Sequence, residues 1–280
     1  MRANALVSVV TPSFNQGAFL EATLRSVEAQ TWPAIEHVVM DGGSTDGTAA
    51  VLERHRARLA HVQSAPDDGF ADALRNGFAR CTGGILGYLN SDDLLAPRAV
   101  EEAVRCLEAR PDVVLVYGNR VCVDEQGRLL YVRPSPPWGA RTPHAHHVLG
   151  QETCFWRREA YERAGGIDAS LRFAVDYDLF SRLARLGPFT HCGRIWGFFR
   201  KHAASKTMTS YAAVGAAEVA RVQEAVWGGR PSAWETALVH GACRLYGLAG
   251  GLARELVRWP KEVPRPERAP LGDRLRRSLA

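Results

Sequence analysis

Asn90-Ser91-Asp92-Asp93 sets two adjacent carboxylates directly after the apolar run Ile85-Leu86-Gly87-Tyr88-Leu89. That run reads as a short buried strand launched by the turn Thr82-Gly83-Gly84, and a helix is expected to open near Pro97. In an open α/β sheet, acids at a strand's C-terminal end line the crevice where ligands bind. Oxygen ligands there suit Mg²⁺ or Mn²⁺, which bridge a carboxylate to a substrate's phosphates. The plainer reading is a helix N-terminus, where the dipole favours acids. The flanking chain has to decide between them.

Two more acids stand at comparable places. Asp41 ends the apolar run from Ile35 and opens Gly42-Gly43-Ser44-Thr45-Asp46-Gly47, whose glycines let a ligand approach the backbone. Its carboxylate can accept hydrogen bonds from a base or ribose; it can equally cap a tight turn. Gly42 and Gly47 have the spacing of a phosphate loop, but Thr48 stands where that loop needs lysine, and Ser44 breaks a G-x-G-x-x-G fingerprint. Asp176 and Asp178 open a helix whose inward face is Leu179, Phe180 and Leu183. The dipole alone accounts for two acids at such a place, while an Asp beside an apolar wall also suits a general base.

The elements that must carry these residues follow one another as strand, loop and helix. Leu6 to Thr11, Ile35 to Met40, Leu59 to Gln63 and Ile85 to Leu89 are the expected strands, with helices after each. Successive β/α units imply an α/β fold, a parallel sheet covered by helices on both faces. Beyond residue 110 the pattern turns mixed: Val113 to Tyr117, Val121 to Asp124, Leu129 to Val132, Gln151 to Arg157, Phe189 to Cys192 and Ile195 to Arg200 are expected to be strands. Pro134 to Pro143 cannot hold regular structure, and His144, His146 and His147 follow it. No thiolate or carboxylate with ligand spacing accompanies them, so a lid or acceptor-contacting loop is expected rather than a metal site. From about Ser210 the chain reads as helix only, Tyr211 to Val226 and Trp234 to Trp259, before a basic, proline-rich tail from Pro260.

The 280 residues suffice for a full core, and 46 % apolar with 23 % charged residues argues against general disorder. Six scattered cysteines without a C-x-x-C pair read as reduced thiols, and the N-terminus has no room for a secretory leader, so a cytoplasmic protein is expected. Glu235, His240, Arg244 and Arg254 interrupt the last helix too often for a membrane span. A basic amphipathic helix with Trp at its ends is compatible with an anionic membrane surface, and at least equally with packing onto the catalytic domain or onto a partner subunit in a homodimer.

The ordered segments VSVVTPSFNQ, VVMDGGSTDGT, SAPDDGFADALRNGFARCTGGILGYLNSDD and GGIDASLRFAVDYDLFSRL closely resemble the family 2 glycosyltransferases with a GT-A fold, over roughly Leu6 to Thr207. The resemblance implies a mostly parallel central sheet flanked by helices over residues 1–207, with a nucleotide-sugar half to about 118 and an acceptor half beyond it. A helical extension over 208–259 and a flexible tail over 260–280 would follow. It implies inverting transfer of a sugar from a nucleotide-diphosphate donor, UDP by family frequency, to an acceptor hydroxyl, with Mn²⁺ or Mg²⁺ as cofactor. A glycan or lipid-linked acceptor is the expected partner, and nucleic acid is not. By the same resemblance Thr11, Pro12 and Asn15 match the first nucleotide-contacting loop, Asp41 the acid that holds the base, and Asp68 a further acid near the nucleotide. Asn90, Ser91, Asp92 and Asp93 match the metal and ribose motif, where Asn90 departs from the usual first acid; Asp92 and Asp93 keep the metal capacity. Asp176 matches the catalytic base, Gln151 lies where members approach the acceptor, and His202 and Ser205 resemble a loop over the diphosphate. Two other readings compete. A sugar-nucleotide nucleotidyltransferase usually needs a basic glycine-rich first loop, which Pro12-Ser13-Phe14-Asn15-Gln16-Gly17 is not. A non-catalytic carbohydrate-binding scaffold would have no need to keep Asp41, Asp92, Asp93 and Asp176.

Overall fold

The structure is a computed structural model that describes residues 5–133, 135, 149–202 and 214–252. Strand β1 (Val7–Ser13) is buried along its whole length, as expected of a β-branched run covered on both faces. It pairs in parallel with β2 (Ile35–Asp41) on one side and β4 (Ile85–Tyr88) on the other, and β3 (His61–Ser64) extends the sheet beyond β2. Helices α1 (Gly17–Glu28), α2 (Thr48–His55) and α3 (Phe70–Arg80) are the crossovers, and α4 (Ala99–Ala109) follows the two-residue strand β5 (Leu94–Leu95). Alternation along β1 assigns its faces. Val10 joins Met40, Leu74 and Phe78 in one core, while Val7 and Val9 join Val100, Val104 and Leu107 in another.

The sheet becomes mixed past β4. Strand β6 (Leu115–Val123) is flanked by β7 (Leu129–Arg133) and β8 (Cys154–Arg157), both antiparallel, and by β9 (Phe189–Arg200) in parallel. The full order is β3-β2-β1-β4-β8-β6-β9-β5, with β7 paired to β6. The two strands expected between 113 and 124 are therefore one, and so are the two expected between 189 and 200. Both are long enough to pass a register irregularity opposite one another, near Tyr117 to Arg120, without ending. The run from Gln151 is not strand throughout: Gln151–Thr153 form a 3-10 turn, and pairing begins only at Cys154.

Helices α5 (Arg158–Arg163) and α6 (Val175–Ala184) cover the sheet near β8, and α7 (Ala216–Trp227) follows. Its Val222 is buried, and Val219, Val226 and Trp227 pack on the α3 and α6 side of the core. Gly228, at φ 75°, ends α7 with its N–H on Glu224 O at 3.1 Å. Helix α8 (Ala233–Leu252) completes the described chain, and no described helix is long and apolar enough to cross a membrane. His144, His146, His147, Ser205 and the tail lie outside the described residues.

Candidate functional site

Because β1, β2 and β4 run in parallel, Ser13, Asp41 and the turn after Tyr88 leave the sheet at one edge. Two loops there are bonded to each other. Asn15, the one described non-glycine residue with positive φ (52°), donates its N–H to Ser44 Oγ at 2.7 Å and accepts the Thr45 N–H on Oδ1 at 2.9 Å. Gly17 N–H donates to Asp46 Oδ2 at 2.9 Å, and Asp46 also accepts the Thr48 N–H at 2.9 Å. Asp41, only 2 % exposed, accepts the Ser64 hydroxyl at 2.6 Å, the Ser44 N–H at 3.0 Å and the Ser44 hydroxyl. Thr11 and Pro12 are buried in β1, and the Thr11 hydroxyl is hydrogen-bonded to His37 Nε2 at 2.9 Å.

Asp68 is exposed in the turn before α3; its neighbour Asp67 reaches back toward Asp41. A Cβ on Gly42 would lie 3.0 Å from Asp67 Oδ1, so the missing side chain makes room for that carboxylate. Burial raises the Asp67 pKa against the Gly69 N–H, and the charges of Asp72, Asp41 and Asp68 raise it further.

The acidic turn divides its two carboxylates between different surroundings. Asp93 N–H closes the turn on Asn90 O at 3.1 Å, and the Thr23 hydroxyl lies 2.8 Å from both the Ser91 and Asp93 carbonyls. The Asp93 side chain is fully buried. Its Oδ1 accepts the Arg200 N–H at 3.0 Å, and its Oδ2 accepts Gln151 Nε2 at 3.2 Å and Asn90 Nδ2 at 3.3 Å. Burial first, then Asp92 and Glu152, push its pKa well above the ordinary carboxylate range, opposed by the Arg200 N–H and Arg120. Asp92, with 19 % of its side chain exposed, pairs through Oδ2 with His202 Nε2 at 2.9 Å, and its carbonyl accepts Arg200 Nε at 2.9 Å. The Arg200 guanidinium lies 5.1 Å from the Phe19 ring centre, and the His202 ring lies 4.7 Å from it.

Behind this turn Glu152 is 1 % exposed and pairs with Arg120, whose Nη2 donates to Oε2 at 2.9 Å. Burial disfavours the Arg120 charge, yet Glu152, Cys122 and Asp93 hold its pKa above the ordinary value. On the far side, Asp176 stands in the first turn of α6, half-buried, with Oδ1 accepting the Tyr177 N–H at 2.8 Å. The buried Tyr88 hydroxyl has its pKa pushed far up, by burial first and then by Asp176, Cys154, Glu152 and Asp93. The acidic turn, Gln151, Glu152 and Asp176 thus converge around the end of β4, and His202 joins them through Asp92.

Asp92 fits an oxygen-ligated divalent cation: a partly exposed carboxylate at a strand end, steadied by an imidazole. Among the described residues no three His, Cys, Asp or Glu side chains gather into an all-protein cage. A cation shared with a substrate's phosphates needs only one or two carboxylates. Sequence reasoning passed over Arg200, Glu152, Arg120 and Asp67. Arg200 closes its bonds across 107 and 108 residues, which no local pattern records. Glu152 is hidden by the expectation of a strand, whose alternation would have turned it away from Gln151; the 3-10 turn buries both.

Residues 8–163 match the sequence profile of glycosyl transferase family 2. An uncharacterized glycosyltransferase of Mycobacterium tuberculosis is 34 % identical over 187 residues, covering 66 % of this chain and 71 % of its own. Escherichia coli chondroitin synthase is 31 % identical over 195 residues, or 68 % of this chain, which spans only 28 % of that enzyme. Among solved structures, S. aureus TarS in complex with UDP-GlcNAc superposes with a TM-score of 0.67 at 16 % identity, over 90 % of this chain and 74 % of that one. The mannosyltransferase PcManGT of Pyrobaculum calidifontis, in complex with GDP-Man and Mn²⁺, gives 0.62 at 22 % identity, over 90 % and 72 %. The parallel strand edge, the acidic turn on it and these likenesses lead to one conclusion: the chain is a glycosyltransferase of family 2, built on the GT-A fold.

Proposed function

We propose that this glycosyltransferase moves a sugar, with inversion, from a nucleotide-diphosphate donor to an acceptor hydroxyl in the assembly of a surface polysaccharide or glycoconjugate. The observation that carries this reading is the division of labour in the acidic turn: Asp93 is buried and bonded internally, which holds Asp92 out at the sheet edge. The strand edge that carries Asn15, Asp41 and the Asp67–Asp68 turn receives the nucleoside, with Ser91 and Asn90 toward the ribose and Asp92 toward the diphosphate. UDP is the first candidate, in keeping with the UDP-GlcNAc complex of TarS; the GDP-Man complex of PcManGT makes GDP the second. Mn²⁺ or Mg²⁺ held by Asp92, with Asp93 behind it, would offset the charge that develops on the leaving diphosphate.

On the other side Asp176 takes the proton of the acceptor hydroxyl as its oxygen bonds to the anomeric carbon. The bond from that carbon to the diphosphate oxygen breaks, and the diphosphate leaves with the electron pair. Gln151 borders the acceptor side, and His202, paired with Asp92, stands toward the diphosphate. The homologue named for O-antigen biosynthesis in Myxococcus xanthus supports the assignment to polysaccharide assembly. The acceptor is a glycan or lipid-linked saccharide reached from the cytoplasm, with peripheral membrane contact through α8 and the basic tail.

The test is a thermal-shift panel of UDP, GDP, dTDP and their common sugars, each with and without Mn²⁺, run on the wild type and on Asp176→Asn. A Mn²⁺-dependent shift with one nucleotide, retained in D176N while turnover falls about 10³-fold, is the expected result. Silence across the whole panel would transfer support to a non-catalytic scaffold. Full turnover by D176N would remove Asp176 from the base role.

A further inference from the structure

Helix α6 begins without a cap of its own. Its N-cap residue is Ala174, whose methyl group cannot accept a hydrogen bond, and no side chain of that residue caps the helix. The acceptor comes from α7, outside the segment that matches the family profile. Glu218 Oε1 accepts the Arg172 N–H at 2.8 Å, and Oε2 accepts those of Phe173 at 2.8 Å and Ala174 at 2.9 Å. One carboxylate thus collects three consecutive amides two residues before Asp176. Burial works to raise the Glu218 pKa, but the three amides and Arg221 hold it below its ordinary value, so it stays ionised at neutral pH.

The rest of α7 is fastened to the same region. Arg221 Nη2 donates to Ser170 Oγ at 3.1 Å, the Arg185 guanidinium lies 5.7 Å from the Trp227 ring centre, and Val222 is buried. We infer that Glu218 is a positioning residue for catalysis: by gathering the amides of 172–174 it fixes the first turn of α6 and with it the carboxylate of Asp176. This rests on Asp176 serving as the base. It gives α7 a part in the reaction without contact with donor or acceptor.

Amide exchange on the intact wild-type chain is the first arm. The amides of Arg172, Phe173 and Ala174 should be protected at least about 100-fold relative to an unstructured peptide, and exchange at the intrinsic rate would overturn the inference with no variant needed. The second arm compares Glu218→Gln with Glu224→Gln, an exposed glutamate on the same helix. Release of nucleoside diphosphate from UDP-GlcNAc and from GDP-mannose with Mn²⁺ is measured for each. E218Q should speed exchange at 172–174 and lower kcat roughly 10- to 100-fold, with KM for the donor unchanged within about twofold. E224Q should do neither. Wild-type kcat in E218Q, or a donor KM that rises in step with the loss, would overturn the positioning role. D176N separates the two readings: an inactive D176N beside a fully active E218Q fells the anchor alone. Turnover by D176N fells the base assignment, while the exchange arm still reports whether the amides are held.

Discussion

Asp92 and Asp93 are adjacent in sequence and opposite in circumstance. Asp93 accepts from Arg200, Gln151 and Asn90, so Asp93→Ala strands two buried donors and a half-buried one and should lower unfolding free energy by about 2–4 kcal/mol, read as a lower urea midpoint. Asp92→Asn removes charge from a partly exposed position. It should leave the urea midpoint nearly unchanged and abolish any Mn²⁺-dependent stabilisation by nucleotide. A large stability loss in D92N would reverse the two assignments. His37 offers a second residue-scale test. Burial, with a smaller contribution from the charge of His55, lowers its pKa from 6.5 to about 3, and it stays neutral against Thr11. A depressed folded-state pKa means that the unfolded chain binds the proton first. The stability it contributes is therefore complete above about pH 6.5 and is lost as pH falls toward 3. Between pH 6.5 and 5 the wild type should lose about 2 kcal/mol from this group, and His37→Gln should flatten that part of the profile.

At the scale of elements, the close approach of α3 to the sheet decides what its glycine can become. A Cβ on Gly77 would sit 2.5 Å from Val10 Cγ1 and 3.1 Å from Met40 Cγ, both in the core of the parallel strands. Gly77→Ala gains helix propensity worth up to about 1 kcal/mol, yet the overlap should outweigh it and leave a net loss of about 1–3 kcal/mol in urea unfolding. The parallel half was legible because each strand is an apolar run ended by a turn: the helix expected after the third strand is found at Phe70–Arg80, and Asp41 ends β2 as expected. The mixed half was legible only in part. Gly118 and Gly193 break the sequence pattern of β6 and β9, but each strand continues past its glycine because the partner strand carries a matching irregularity. The bonds that make the site are also beyond local pattern. Glu218 lies 44 to 46 residues from the amides it holds, and a glutamate in the first turn of a helix gives no sign that it caps a different one.

For the molecule as a whole, α8 carries an outward apolar ridge. Trp234, Leu238 and Leu245 are 73 %, 52 % and 69 % exposed, and their spacing puts them on one helical face. Changing all three to Ser should abolish sedimentation with anionic vesicles while leaving nucleotide-induced stabilisation intact; a triple variant that still sediments would move membrane contact to another surface. A wild type that never sediments but runs as a dimer, with the variant a monomer, would make the ridge a subunit contact. The strand edge has another character. The loops after β1 and β2 are stitched to each other through Asn15, Ser44, Thr45, Gly17 and Asp46 before any ligand arrives. A ligand entering there has little chain left to order, so little of its binding energy is spent on freezing the receptor. For the nucleotide donor proposed above, discrimination at that wall would work by refusal: a base of the wrong outline would meet a surface that does not give way, and be turned back at the threshold rather than accommodated.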